Sequence, residues 1–332
     1  MKKKTIITSC TLALFISGVF AETVNKATTW DADHQVEDKS LGANTFLDGN
    51  QDRIQNNANV RFDYGTESYT SKGKLVLSNN NTGGTFRIVS GTFIVGADFE
   101  MRNGGSESDR KANLYVNSGA TFGTVGDFLM NGTGIGACTV TVTDGTVNVG
   151  ANLLLSATTG TNAFSLSSKA VLDVTGGITV GISGATNVSN NTFTLYGGTS
   201  VSANSLALSK GTLLFDMDTD GWNTANALIT LDTTLSFETS SLISILGYNA
   251  IGIDLTNDFI VLFRAAEQFT LEDSLFSFAG FSGTNFMSYL NWQDVGEYSY
   301  LVFGTGVVPE PSEVAAVLGL MALGFAAYRR KR

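Results

Sequence analysis

Short stretches in which apolar and polar residues alternate run through most of the chain from about Val60 onward. Examples are residues 139–143 (TVTVT), 147–149 (VNV), 193–195 (FTL) and 206–208 (LAL). Alternation with a period of two is typical of β-strands that bury one face. Glycine and asparagine between the runs supply turns that need a positive φ. The pattern therefore predicts an all-β protein made of many short strands.

A block of related sequence recurs within these strands. GTFIVGADF (residues 91–99) is followed by ATFGTVGDF (120–128) and GTVNVGANL (145–153), with weaker copies at 170–178 and 199–206. Steps of 30, 24, 26 and 27 residues separate the anchor positions Gly96, Gly126, Gly150, Gly176 and Ala203. Three strands in a unit of about 26 residues are typical of a parallel β-solenoid. A β-sandwich built from hairpins is the alternative fold, although it does not require such a repeated block.

The repetition fades near Gly211, while the apolar runs become longer, as at residues 259–263 (FIVLF). We interpret this region as a β cap, because the uncovered end of a solenoid is an aggregation hazard. The predicted organisation is a leader (1–21), a polar N-terminal cap (22–58), the repeat solenoid (59–221), the C-terminal β cap (222–306) and a tail (307–332).

Charge is unevenly distributed along the chain, whose formal net charge is −10. Seven of its 20 basic residues lie at the two ends, so the body between them is more acidic than this value indicates. An acidic body repels phosphate backbones, and nucleic acid is therefore excluded as an expected partner.

The first 21 residues have the three parts of a secretory signal peptide. Lys2, Lys3 and Lys4 precede an apolar run at residues 12–20, and small side chains precede a cleavage site between Ala21 and Glu22. We therefore expect export through a translocon. Cys10 lies in this leader, so Cys138 would have no internal disulfide partner and is predicted to be a small buried residue.

The last two dozen residues form a second membrane-directed segment. Both prolines of the chain fall in Pro309-Glu310-Pro311, an uncharged stretch occupies residues 314–328, and a basic cluster follows at Arg329, Arg330, Lys331 and Arg332. As a helix the uncharged stretch would span only ~22 Å of a hydrocarbon core of ~30 Å. The basic cluster favours a cytoplasmic end, and the prolines favour an extended segment on the outer side. An ordinary C-terminal anchor helix is the alternative.

This tail resembles the PEP-CTERM sorting signal over about residues 307–332. The resemblance implies cleavage by an exosortase after a transient stay in the inner membrane, and a final location in the cell envelope, on the outer surface or in the extracellular matrix. Proteins with this signal are commonly associated with exopolysaccharide and biofilm in Gram-negative-type bacteria. The repeats, for their part, resemble the passenger domains of bacterial autotransporters. The tail indicates a destination and not an activity.

Few residues suggest chemistry, and no catalytic residue is predicted. The single histidine, His34, lies in the polar N-terminal stretch. Asp98, Asp127 and Asn152 recur in register, which favours a turn or a side-chain ladder over an active site. Asp216, Asp218 and Asp220 followed by Gly221 reproduce the opening of a calcium loop, but Ala227 stands where the bidentate glutamate belongs. Weak calcium binding and a solvated acidic turn both remain open.

The sequence thus favours an exported structural or adhesive protein without enzymatic activity or a cofactor. Two alternatives remain. One is a polysaccharide-acting β-helix enzyme, a lyase or hydrolase, and the other is a surface module that binds carbohydrate without turnover.

Overall fold

The computed structural model describes residues 23–24, 28–31, 51–54, 58–71, 73–77, 83–102, 111–131, 135–183, 190–217, 227–247, 259–280 and 286–305. Within them lie two short 3-10 helices, Asp273–Leu275 and Phe286–Tyr289. The same residues form 25 strands: β1 (Thr23–Val24), β2 (Thr28–Asp31), β3 (Gln51–Ile54), β4 (Ala58–Ser71), β5 (Lys74–Leu77), β6 (Gly84–Val95), β7 (Phe99–Arg102), β8 (Lys111–Val116), β9 (Thr121–Thr124), β10 (Phe128–Asn131), β11 (Ala137–Thr143), β12 (Thr146–Val149), β13 (Leu153–Leu155), β14 (Thr161–Ser167), β15 (Val171–Gly181), β16 (Asn191–Tyr196), β17 (Ser200–Ser209), β18 (Thr212–Asp216), β19 (Ile229–Leu231), β20 (Leu235–Phe237), β21 (Leu242–Leu246), β22 (Phe259–Ala265), β23 (Phe276–Ala279), β24 (Leu290–Val295) and β25 (Tyr298–Gly304).

Three parallel ladders wrap these strands into a solenoid of about six turns. Face 1 contains β2, the first parts of β4 and β6, and then β8, β11, β14, β16, β18, β21 and β23. Face 2 contains the later parts of β4 and β6, then β9 and β12, the first parts of β15 and β17, and finally β19 and β22. Face 3 contains β1, β3, β5, β7, β10 and β13, the later parts of β15 and β17, and β20. The predicted all-β parallel β-solenoid is confirmed.

The observed register changes each of the four predicted steps by one residue, because two of the five predicted anchors, Gly126 and Gly176, are displaced by one position. Equivalent positions on face 3 are 29, 25, 25 and 28 residues apart, at Phe99, Phe128, Leu153, Ile178 and Leu206. Gly126 accordingly donates its amide hydrogen to the Ala97 carbonyl and does not lie beside Gly96. The anchors were misplaced because glycine occupies either of two adjacent bend positions in successive turns.

The inward side chains form a continuous apolar column along the solenoid axis. Alternation supplies them: in β11 every second residue is buried. Phenylalanines stack through the column edge to face, with ring centroids 4.9 Å apart for Phe99 and Phe122 and also for Phe99 and Phe128. Because each turn buries its apolar side against its neighbours, the core exists only as a stack of turns.

The corner between faces 1 and 2 uses one residue with a positive φ in each of five successive turns. Glycine takes this conformation without strain, while asparagine, aspartate and serine can be tolerated there. The residues are Gly91, Gly119, Asp144, Ser168 and Gly198. The predicted role of glycine in these turns is confirmed, whereas asparagine, which the sequence also led us to expect, holds none of the five positions, and aspartate and serine share them instead.

Antiparallel strands follow the parallel ladders at the C-terminal end. β25 pairs antiparallel with both β22 and β24. Parallel pairing itself continues into the region that the sequence assigns to the β cap, where β19 and β20 pair with β17, and β23 pairs with β21. The predicted signal peptide and sorting helix lie outside the described residues.

Candidate functional site

Most residues selected from the sequence lie outside the described part of the structure. These are Ala21, Glu22, His34, Asp218, Asp220, Pro309, Glu310, Pro311, Arg329, Arg330, Lys331 and Arg332. Asp216 is described and ends β18, half-buried beside Tyr196, whose pKa is raised by burial and by this carboxylate. The calcium hypothesis therefore stays a prediction.

The described residues lack two features, a metal-binding cluster and a membrane-spanning helix. They contain no cluster of three or more His, Cys, Asp or Glu side chains arranged to hold a metal ion. None of the helices in this part of the chain is long and apolar enough to cross a membrane.

Cys138 is fully buried in β11, as predicted. Burial raises the pKa of its thiol to about 12. Because the thiolate is the nucleophilic form, this side chain is a packed apolar group in the core.

Asp98, Asp127 and Asn152 form a ladder of side-chain hydrogen bonds between successive turns. The Asp98 Oδ1 accepts from the Asp127 amide at 3.0 Å, and the Asp127 Oδ1 accepts from the Asn152 amide at 2.9 Å and from its Nδ2 at 3.1 Å. The Asn152 Oδ1 then accepts from the Gly177 amide at 3.0 Å. A Cβ at Gly126 would lie 2.2 Å from the Asp98 Oδ1, so this bend has no room for a side chain. The recurring acids stabilise the corner between faces 2 and 3.

A charged cluster surrounds Glu100 on face 3. Glu100 is only 5% exposed, although it points away from the core between Phe99 and Met101. Lys74 Nζ lies 2.5 Å from its Oε2, and Arg102 donates from Nε to Oε1 at 2.6 Å and from a terminal nitrogen to Oε2 at 2.7 Å. Asn131 Nδ2 adds a bond of 3.1 Å to Oε1. Four side chains from three turns are thereby joined.

The cluster holds Glu100 ionised at every moderate pH. Burial alone would oppose ionisation, but the hydrogen bonds from Arg102, Lys74 and Asn131 outweigh it and lower the pKa of Glu100 to about 2. A carboxylate with this pKa, both of whose oxygens accept hydrogen bonds, is a poor proton donor or acceptor near neutrality. The geometry favours a structural role.

Replacing Glu100 with glutamine is expected to lower the free energy of unfolding at pH 7 by about 2–3 kcal/mol, because a depressed carboxyl pKa stabilises the folded state. This contribution is present above the ordinary pKa of 4.5 and is lost as the pH falls towards about 2. The difference between wild type and Glu100→Gln should therefore shrink over that interval. Denaturant titrations from pH 7 to pH 2.5 measure it. Glu267→Gln, at an exposed position, is the matched control; equal losses in both variants, or a loss independent of pH, would contradict the assignment.

A second cluster lies on the outer surface of face 1 and escaped the sequence analysis. Arg61 in β4 pairs in register with Arg87 in β6, and Arg87 pairs with Tyr115 in β8. The Arg87 Cζ lies 4.4 Å from the centroid of the Tyr115 ring. The two arginines are one repeat unit apart in the chain, which is the sequence signal that identifies them once the register is known. We call Arg61, Arg87 and Tyr115 the arginine–tyrosine patch.

Small polar side chains occupy most other outward positions of faces 1 and 2. On face 2, Thr92, Thr121 and Thr146 stand in one column, all half-buried. On face 1, Thr141 and Ser165 continue the column of the arginine–tyrosine patch. Such columns place hydroxyl groups about 4.8 Å apart along the solenoid axis. The result is an extended, regular and weakly charged surface.

Comparison of the chain with protein-family models, with curated proteins and with solved structures gave no match. The fold and the geometry above are therefore the basis for functional inference.

Proposed function

We propose that this protein is an exported structural or adhesive component of the cell envelope or extracellular matrix, processed at its C-terminus by an exosortase. The observation that carries the structural role is the set of parallel ladders whose outward positions repeat small hydroxyl and amide side chains. Such a surface offers many weak, evenly spaced contacts to a polymer or to another cell. The leader and the tail supply the route to that location.

The arrangement of acids and bases supports a role without catalysis. Where they meet closely, as around Glu100, the charges are paired and the carboxylate is buried. A catalytic pair needs open access and a pKa near the working pH. A stack of turns with satisfied polar ladders is instead suited to a rigid spacer or contact surface.

The proposal is tested by deleting residues 309–332 in the native host and following both forms by fractionation. The intact protein should be retained at the envelope or in the matrix, whereas the truncated form should be exported and released into the medium. The same location for the two forms would contradict processing through the tail, and so would an intact protein that stays heavier than the truncated form by the mass of residues 309–332. Released material that remains resistant to protease would show that the truncated body is folded.

A further inference from the structure

We propose that the arginine–tyrosine patch on face 1 binds the carboxylate groups of an acidic polysaccharide, that is, a polymer containing uronate sugars. The proposal rests on the proposed function in one respect, since such a polymer would be met outside the cell. It adds the chemical class of the partner and the residues that select it.

The first argument is the close spacing of two cations. Arg61 and Arg87 are direct neighbours on adjacent parallel strands, which lie about 4.8 Å apart. Like charges directly opposite each other on a sheet destabilise it. Asp63 offsets this repulsion at Arg61 only, and an anion bound beside Arg87 would remove more of it, so the folded surface favours an anionic ligand at this position.

The second argument is the difference between the two arginines in their own partners. Asp63 accepts a hydrogen bond of 2.7 Å from Arg61, and the Ser90 hydroxyl bonds to the same carboxylate. The Ser90 bond, opposed by partial burial and assisted by Arg61, lowers the pKa of Asp63, which stays ionised. Arg87 has no carboxylate partner among the described residues; there its interaction is with the Tyr115 ring. The guanidinium group of Arg87 can donate two parallel hydrogen bonds to one carboxylate, and it is therefore the cation of the patch that would pair with an external carboxylate.

The third argument is the surface next to the two arginines. The outward side of β8 presents Lys111, Asn113 and Tyr115, and the Asn113 Nδ2 donates to the Thr85 Oγ1 at 3.4 Å. Thr139 and Thr141 follow on β11. A sugar chain lying along the solenoid axis would meet hydroxyl and amide groups at each strand, and an aromatic ring suited to the apolar face of a sugar. A cation, hydrogen-bonding groups and a ring together match a uronate better than a simple anion.

Two other classes of macromolecule fit this surface less well. β4, β6 and β8 each have a parallel neighbour on both sides, so no free backbone edge is available for a peptide to add as a strand. A nucleic acid requires a row of many cationic contacts to its phosphates, whereas the patch supplies two arginines and one tyrosine. The selectivity of this surface for a ligand must therefore come from the side chains of the arginine–tyrosine patch.

The test measures binding of oligogalacturonate to the purified full-length protein by calorimetry. Wild type should bind this probe with an affinity that falls as salt is added, and should bind neutral cello-oligosaccharides, poly-glutamate and duplex DNA more weakly. Arg87→Gln should weaken binding roughly tenfold or more, the value of one charge-assisted hydrogen bond. Lys169→Gln removes an equal charge from an exposed turn elsewhere and should leave the affinity unchanged.

Two further variants separate binding from folding. Arg87→Lys keeps the positive charge but cannot donate two parallel hydrogen bonds to one carboxylate, and it should give an intermediate affinity. Tyr115→Phe keeps the aromatic ring and should bind nearly as tightly as wild type. Melting curves show whether each variant is folded. The proposal is wrong if folded wild type fails to bind oligogalacturonate, if the neutral probe, poly-glutamate or DNA binds as well or better, or if Lys169→Gln and Arg87→Gln lose affinity equally. None of these results depends on C-terminal processing, so failure here is distinguishable from failure of the sorting proposal.

Discussion

Replacement of Phe122 with alanine is expected to lower the free energy of unfolding by about 3–5 kcal/mol, the range for large-to-small changes in a packed core. Phe122 is fully buried and its ring contacts those of Phe86, Phe93, Phe99 and Phe128. The cavity would lie between successive turns and cannot be closed without shifting both, since each turn is held in register on three faces.

Chemical denaturation followed by circular dichroism measures this effect. Val125→Ala is the matched control, because this side chain is 60% exposed only three residues away and should change the stability by less than about 0.5 kcal/mol. A loss of less than about 1 kcal/mol for Phe122→Ala would contradict a continuous aromatic column.

Replacement of both Pro309 and Pro311 with alanine is expected to abolish C-terminal cleavage and leave the precursor in the inner membrane. Proline fixes φ and keeps the preceding residue extended, so both substitutions allow the segment to become helical and to leave the extended form that a protease groove binds. Immunoblots of membrane fractions should show a larger species that is essentially missing from wild type.

Thr305→Ala, at the exposed position that directly follows β25, is the control for this experiment. It should be processed as wild type. Normal processing of the double proline variant would show that the tail is not recognised through this motif.

The architecture could be predicted from the sequence because the determining signal is local. Alternation in runs such as residues 139–143 identifies strands with one buried face, and the structure buries every second residue there. The repeat length indicates how many strands make a turn. Asp98, Asp127 and Asn152 could be assigned to a ladder because they recur within the same block.

The side-chain clusters between turns depend on the register of the paired strands, and the repeat length gives that register only approximately. Glu100 and Asn131 are 31 residues apart in the chain yet share a hydrogen bond, because two strands of one face bring them together. Arg61 and Arg87 become neighbours for the same reason. An error of one residue, as at Gly126, would turn such side chains to the opposite side of a strand in a search by sequence alone. Clusters formed across turns therefore become visible only with the structure.

The physical consequence is a body whose stability is distributed along its axis. Each turn depends on its neighbours, and the antiparallel pairing of β22, β24 and β25 ends the parallel stack with a different pattern of hydrogen bonds. This arrangement suits the long contact surface that we propose for the protein. The polar ladder of Asp98, Asp127 and Asn152 and the paired cluster around Glu100 join successive turns of that surface.

The most direct test of the account is the intact mass of the protein isolated from the envelope or matrix of the native host. We expect a chain that begins at Glu22 and ends close to Pro311, so that the leader and the basic cluster are both missing. A mass that still includes Arg332 would contradict the proposed route, whatever the surface of the solenoid binds.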